Sequence, residues 1–156
     1  MLKNALRAIA LDAGYLGSKR KPALRALAYA PFRVAMLMRL ASGGGWLGRI
    51  ARGRLLSRGI DVSPGARIDG ALKLPHPVGI VVGSGVHLHG NTTIYQNVTV
   101  GGDGHGGYPS IETNVIIYPS AIVYGRITLA SGTRVGAGVV LNRDTKPNEK
   151  IKAATR

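Results

Sequence analysis

A six-residue stride runs through this chain and limits what it can fold into. Val62, Ile68, Leu74, Ile80, Val86, Thr92 and Val98 stand six apart. A second register runs through Ile111, Ile117, Val123, Leu129, Val135 and Leu141, and every member of both except Thr92 is aliphatic. Fixed-period self-similarity marks a solenoid, and a hexapeptide period marks a parallel β-helix. Short β-branched segments form the strands, and glycine or small residues permit the corners. One aliphatic side chain per six points inward and stacks on its counterpart one coil away. So thin a core needs few aromatics, and the 156 residues hold one Trp and one Phe against 23 Gly. A β-sandwich would show period-two alternation and longer loops instead. From Val98 to Ile111 is thirteen residues rather than twelve, so residues 101–110 leave the repeat as a polar, glycine-rich loop.

The charge lies elsewhere. The net charge is +14, yet residues 1–60 carry twelve Lys and Arg against the single acid Asp12. This segment is rich in Ala, Leu and Arg, which favour helix. From Pro22 to Ala41, Leu24, Leu27, Ala28, Val34, Leu37 and Met38 recur at helical spacing, which predicts an amphipathic helix bent or interrupted at Pro31. Gly43, Gly44 and Gly45 end it, and a second short helix is expected over 46–58. Arg25, Arg33 and Arg39 interrupt the most apolar stretch, so no membrane span is expected. The start lacks the features of a secretory signal. Two readings stay open for these helices: a cap over one end of the solenoid, or docking on an anionic membrane. The expected organisation is a basic helical segment over 1–58, a β-helix over 59–142 and a polar tail over 143–156.

The stretches GIDVSPGARI (59–68), LPHPVGIVVG (74–83), IYQNVTVGG (94–102) and TRVGAGVVL (133–141) resemble the serine acetyltransferase-like hexapeptide-repeat acyltransferases. The resemblance implies a left-handed β-helix, an exception to the right-handed crossover rule. It further implies a homotrimer, an acetyl-CoA donor lying between neighbouring β-helices, and transfer to an acceptor hydroxyl. By the same resemblance His76 is the general base and Asp61, fifteen residues earlier, orients it. At eighteen residues per coil position 58 would lie beneath His76, with Asp61 three residues further on. A hydroxyl is a poor nucleophile at neutral pH, so a base must take its proton as it attacks the thioester. A carboxylate on the other imidazole nitrogen fixes the tautomer. The donor groove maps to Gly101, Gly102, Pro119, Ser120 and Ala137, with the backbone near Gly101 and Gly102 as the candidate oxyanion site. Tyr118 replaces the family's usual glycine. The basic residues Arg143, Lys146, Lys150 and Lys152 lie where CoA phosphates could be met, although the family's closing Gly-x-Pro-Ala arm is missing.

The acceptor is expected to be a sugar rather than serine. By the resemblance, true serine acetyltransferases grip the amino acid with an Asp directly before the histidine and an Arg-His pair in the loop, and those positions read Pro75, Gly107 and Tyr108. Each charged hydrogen bond lost costs about 1.5–3 kcal/mol. The pattern is closest to the short O-acetyltransferases of polysaccharide biosynthesis, with Gln96, Asp103, His105 and Tyr108 as candidates for contacts to the acceptor. Cytoplasmic placement follows, at the inner membrane face if the sugar is lipid-linked. Serine O-acetylation is the alternative within the family. Outside it stand a γ-carbonic-anhydrase-like metal enzyme, drawing on His76, His87, His89 and His105, and a non-catalytic trimeric scaffold. No metal is expected, because the histidine spacing does not match that family. The absence of cysteine excludes disulfides, thiolate metal sites and a cysteine nucleophile, and favours direct transfer. The basic half has few stacking aromatics and no reading motif, so nucleic acid is not expected.

Overall fold

In a computed structural model, residues 29–153 are described, and their architecture is a parallel β-helix capped at one end by two helices. Helix α1 (Ala30–Ser42) begins with Pro31 in its first turn, where a missing N–H costs nothing. The expected interruption at Pro31 therefore falls at the start of this helix, after an extended Tyr29. The part of the expected helix before residue 29 lies outside the described residues. Gly44 and Gly45, at φ of +68° and +69°, turn the chain into α2 (Gly45–Leu56). A Cβ at Gly48 would lie 2.9 Å from the Leu40 carbonyl oxygen, so glycine lets the two helices pack closely. Their shared inner face is Val34, Ala35, Met38, Ala41, Ala51 and Leu55, continuous with the solenoid core.

Fourteen short strands follow. Face A stacks β1 (Asp61–Val62), β4 (Val81–Val82), β7 (Thr99–Gly101), β10 (Ile122–Tyr124) and β13 (Val140–Leu141). Face B stacks β2 (Arg67–Ile68), β5 (His87–Leu88), β8 (Ser110–Ile111) and β11 (Thr128–Leu129). Face C stacks β3 (Leu72–Lys73), β6 (Thr92–Ile94), β9 (Val115–Ile117), β12 (Arg134–Val135) and β14 (Lys150–Ile151). All neighbours are parallel, for example Val81 with Thr99 and Ile122 with Val140. The β-helix expected from the stride is the fold observed. Arg39 donates from Nη1 to the Ile68 carbonyl and from Nη2 to the Gly70 carbonyl, both at 2.7 Å, tying α1 over the first coil.

The register differs from a uniform stride in an instructive way. Asp61 pairs with Val81, twenty residues on, whereas Val81 pairs with Thr99, eighteen on. Two buried rows run along the interior, one through Val62, Val82, Val100, Val123 and Leu141, the other two residues earlier through Ile60, Ile80, Val98, Ala121 and Val139. The six-residue series crosses from the first row to the second after Leu74, because two extra residues are looped out between Leu74 and Ile80. Likewise Thr99 pairs with Ile122, twenty-three residues on, so loop 101–110 holds five extra residues, not one. The stretch expected as a polar tail contains a further rung, with Lys150 and Ile151 pairing with Arg134 and Val135.

Candidate active site

The looped-out residues carry His76. Pro75 and Pro77 flank it, and neither can donate to a ladder, so pairing lapses here. The Val78 N–H closes on the His76 carbonyl at 2.9 Å, and Val78 in turn accepts from the Asn97 N–H at 2.9 Å. Gly79 sits at φ +66°, and a Cβ there would overlap the Asn97 amide oxygen, so only glycine completes this turn. His76 is exposed. Among the described residues its imidazole has no hydrogen-bond partner. Its ring lies 6.4 Å from that of Tyr95, which stacks on Tyr118 at 5.4 Å and 18°.

Asp61 has a different partner from the one expected by resemblance. Arg52 of α2 donates to it from Nε at 2.9 Å and from Nη2 at 3.2 Å. With twenty residues rather than eighteen in this coil, the position one rung beneath His76 falls inside α2 and not at residue 58.

The remaining candidates divide between two corners of the prism. At the corner joining face C to face A, the Ser120 N–H donates to the Gln96 carbonyl at 3.0 Å, and the Gly138 N–H to the Pro119 carbonyl at 2.9 Å. These bonds align Gln96, Pro119 and Ser120, and Ala137 beside Gly138, along one ridge next to Tyr95 and Tyr118. Ser120 adopts φ +60°, a left-handed turn without glycine. The Gln96 Oε1 is buried and, among the described residues, has no hydrogen-bond partner. A buried amide oxygen left unpaired costs roughly 1–3 kcal/mol, which an incoming donor would recover.

Gly101, Gly102, Asp103, His105 and Tyr108 lie at the other corner, where face A turns into face B. Strand β7 ends at Gly101. Asp103 accepts the N–H groups of His105 (2.8 Å) and Gly107 (2.9 Å) on one oxygen, so its carboxylate organises the loop. The same two bonds hold its pKa below the usual carboxylate range. His105 is exposed, while the half-buried Tyr108 ring covers Gly83, Gly85 and Gly102. A Cβ at Gly85 would overlap that ring. The Ser84 hydroxyl donates to the Tyr108 hydroxyl at 3.2 Å. Between the corners runs an outward row of Val81, Thr99, Ile122 and Val140, in which the three aliphatics are exposed. Three strand residues separate the corners, about 10 Å. Sequence reasoning missed this row, because outward positions carry no six-residue signal. It missed Arg52 too, which was counted only as helical charge, and Tyr95, whose one clue is its place beside Gln96.

On face B, His87 of β5 and His89 just past its end have ring centroids 3.4 Å apart. His87 Nε2 meets the Asp69 carboxylate at 2.6 Å, and His89 Nε2 meets the Ser110 hydroxyl at 2.9 Å. Burial first, then the neighbouring His87, lowers the pKa of His89. Among the described residues no three His, Cys, Asp or Glu are arranged to hold a metal ion. Arg143, expected beside CoA phosphates, is paired with Glu149 at 2.8 Å.

No protein-family model matches the chain. Its sequence is similar to the serine acetyltransferase of Bacillus licheniformis, 37% identical over 89 residues, covering 55% of this chain and 41% of the relative. The Staphylococcus xylosus serine acetyltransferase is 42% identical over 88 residues, covering 54% and 41%. The chain thus spans about two fifths of the length of the curated relatives it matches. In structure it is similar to Neisseria gonorrhoeae serine acetyltransferase, with a TM-score of 0.81 and 26% identity over 97% of this chain and 65% of that one. It is also similar to soybean serine acetyltransferase complexed with serine, with a TM-score of 0.77 and 27% identity over 95% and 66%. The expected closeness to polysaccharide O-acetyltransferases finds no support in these relatives, which are named for serine.

Proposed function

We propose that this chain is an acetyl-CoA-dependent O-acetyltransferase of the serine acetyltransferase type. The observation that carries the reading is the placement of His76: exposed, among the described residues unbonded at its ring, and next to a ridge whose buried Gln96 amide oxygen meets no donor among them. In the proposed step, His76 takes the proton of the acceptor hydroxyl as its oxygen attacks the thioester carbonyl. The C–S bond breaks, the acetyl group passes to the oxygen, and the proton goes to the departing thiolate. Asp61 is the proposed orienting carboxylate. It accepts two bonds from Arg52 and has lone pairs left for a third, so the two roles are compatible. Pro119, Ser120 and Ala137 offer little bulk to a pantetheine arm. The exposed row of Val81, Ile122 and Val140 suits a neighbouring β-helix in a trimer, which would bring the face A corners of adjacent copies near one another.

For the acceptor, the names of the relatives favour serine over the sugar expected from the loop. A sugar hydroxyl stays as a second reading on one observation. Gly107 donates to Asp103, and Tyr108 lies over glycines with its hydroxyl at Ser84, so neither presents a charge to an amino acid. Release of free CoA from acetyl-CoA decides between them, measured with serine, nucleotide sugars, oligosaccharides and lipid-linked sugars. Turnover with serine supports the first reading, and turnover with a sugar alone supports the second. CoA release with no acceptor in the panel, together with full turnover by His76→Ala, would overturn both.

A further inference from the structure

Helix α2 has two apolar faces, and the core uses only one. Gly48, Ala51 and Leu55 point inward and are buried. Opposite them Trp46 is 70% exposed, with Leu47 and Ile50 each 52% exposed. A groove of ≈570 Å³ lies between the helices, with Leu37 and Leu40 on its α1 wall, Arg54 of α2 opposite and Arg58 just past the end of α2. Arg49 and Arg54 are exposed and flank the Trp46–Ile50 line. Two other cations of this cap are directed differently: Arg39 reaches inward to the first coil and Arg52 to Asp61. No acid occurs between Asp12 and Asp61.

We propose that this outer face of α2 docks on an anionic lipid surface. An exposed Trp and aliphatics flanked by arginines, on a helix lying along the molecular surface, is the composition of an interfacial helix. At twelve residues α2 is too short to span a bilayer, and no helix among the described residues is long and apolar enough to do so. The charge decides the occupant. The face carries arginines and no acid of its own, since residues 13–60 hold none, so a second copy of the same face would be repelled, while anionic headgroups are attracted at each arginine. Lipid docking is independent of the acyl-transfer reading, since none of these side chains belongs to the candidate site.

Trp46 is the single tryptophan of the chain, so its fluorescence reports this helix alone. The full chain is titrated with vesicles of phosphatidylglycerol in phosphatidylcholine, and with pure phosphatidylcholine. The expected result is a blue shift of Trp46 and quenching by brominated lipid on the anionic vesicles only, suppressed by high salt. An Arg49→Gln, Arg54→Gln double variant should bind at least about tenfold more weakly, judged from the usual gain per basic residue. Ile50→Ser should weaken binding while leaving transfer to a soluble acceptor and the melting temperature unchanged. Vesicle binding with Trp46 unshifted would overturn the proposal and assign docking to another part of the chain. So would a Trp46 already shielded from a soluble quencher without lipid. If that shielding grew with protein concentration it would assign the face to a second copy, and otherwise to residues 1–28.

Discussion

Arg52 holds Asp61 through two hydrogen bonds, Nε to Oδ1 at 2.9 Å and Nη2 to Oδ2 at 3.2 Å, and so joins the helical cap to the first strand of the β-helix. Both side chains are over a third exposed, so the pair itself contributes little, about 1 kcal/mol or less. Arg52→Ala should lower the melting temperature by a few degrees and leave turnover within about threefold. Asp61→Asn should lower it similarly but cut turnover at least roughly tenfold, if Asp61 also orients His76. Equal turnover in the two variants would confine Asp61 to anchoring the cap.

His76→Ala should reduce turnover by about a hundredfold or more, the usual worth of a positioned base.

Gln96 separates function from stability. Replacing it by Leu removes a buried oxygen that has no partner, so stability should hold or rise by up to roughly 1 kcal/mol. Turnover should fall in the same variant. A matched loss of melting temperature would mean that the amide is structural.

Two glycines test the close packing. A Cβ at Gly70 would overlap the Gly90 backbone, and one at Gly85 would overlap the Tyr108 ring. Ala at either position should cost about 1–3 kcal/mol in a denaturant titration. At Gly85 the Tyr108→Ala background should relieve much of that cost. At Gly70 no side-chain deletion can, because the obstacle is backbone.

His89 should make stability pH-dependent. Burial lowers its pKa below the usual 6.5, with His87 and Arg67 lowering it further and Asp69 and Glu112 opposing them. Between the folded and unfolded values the unfolded chain binds more protons, so stability rises with pH. The contribution is complete above about pH 6.5 and is lost as pH falls through the lowered value. Melting temperatures followed from pH 8 to about pH 5 should show the fall, and His89→Asn should flatten it.

The repeat made the solenoid legible because one buried aliphatic per face suffices to define a coil. It could not place the coils, since the interior has two buried rows. A count of six that overshoots Leu74 lands on Ile80, which is buried as well, so the looped-out residues around His76 leave no trace in the periodicity. Ile151 escaped because ten residues, not six, separate it from Leu141. In the site, motif resemblance singled out His76 and the Gln96–Pro119–Ala137 ridge, which lie along one corner. The Arg52–Asp61 pair and the exposed valines of face A were invisible, because pairing between segments and outward packing obey no repeat.

The two arginine bonds from Arg39 to the Ile68 and Gly70 carbonyls have a consequence for length. A β-helix whose first coil is bare offers a template to which another chain's coil can add, and growth can continue end to end. Here the backbone acceptors on that rim are occupied by a helix of the same chain, and the Ser42 carbonyl takes the Gly65 N–H as well. The cap thus terminates the stack at this end, and packing of the helices against the core holds it there.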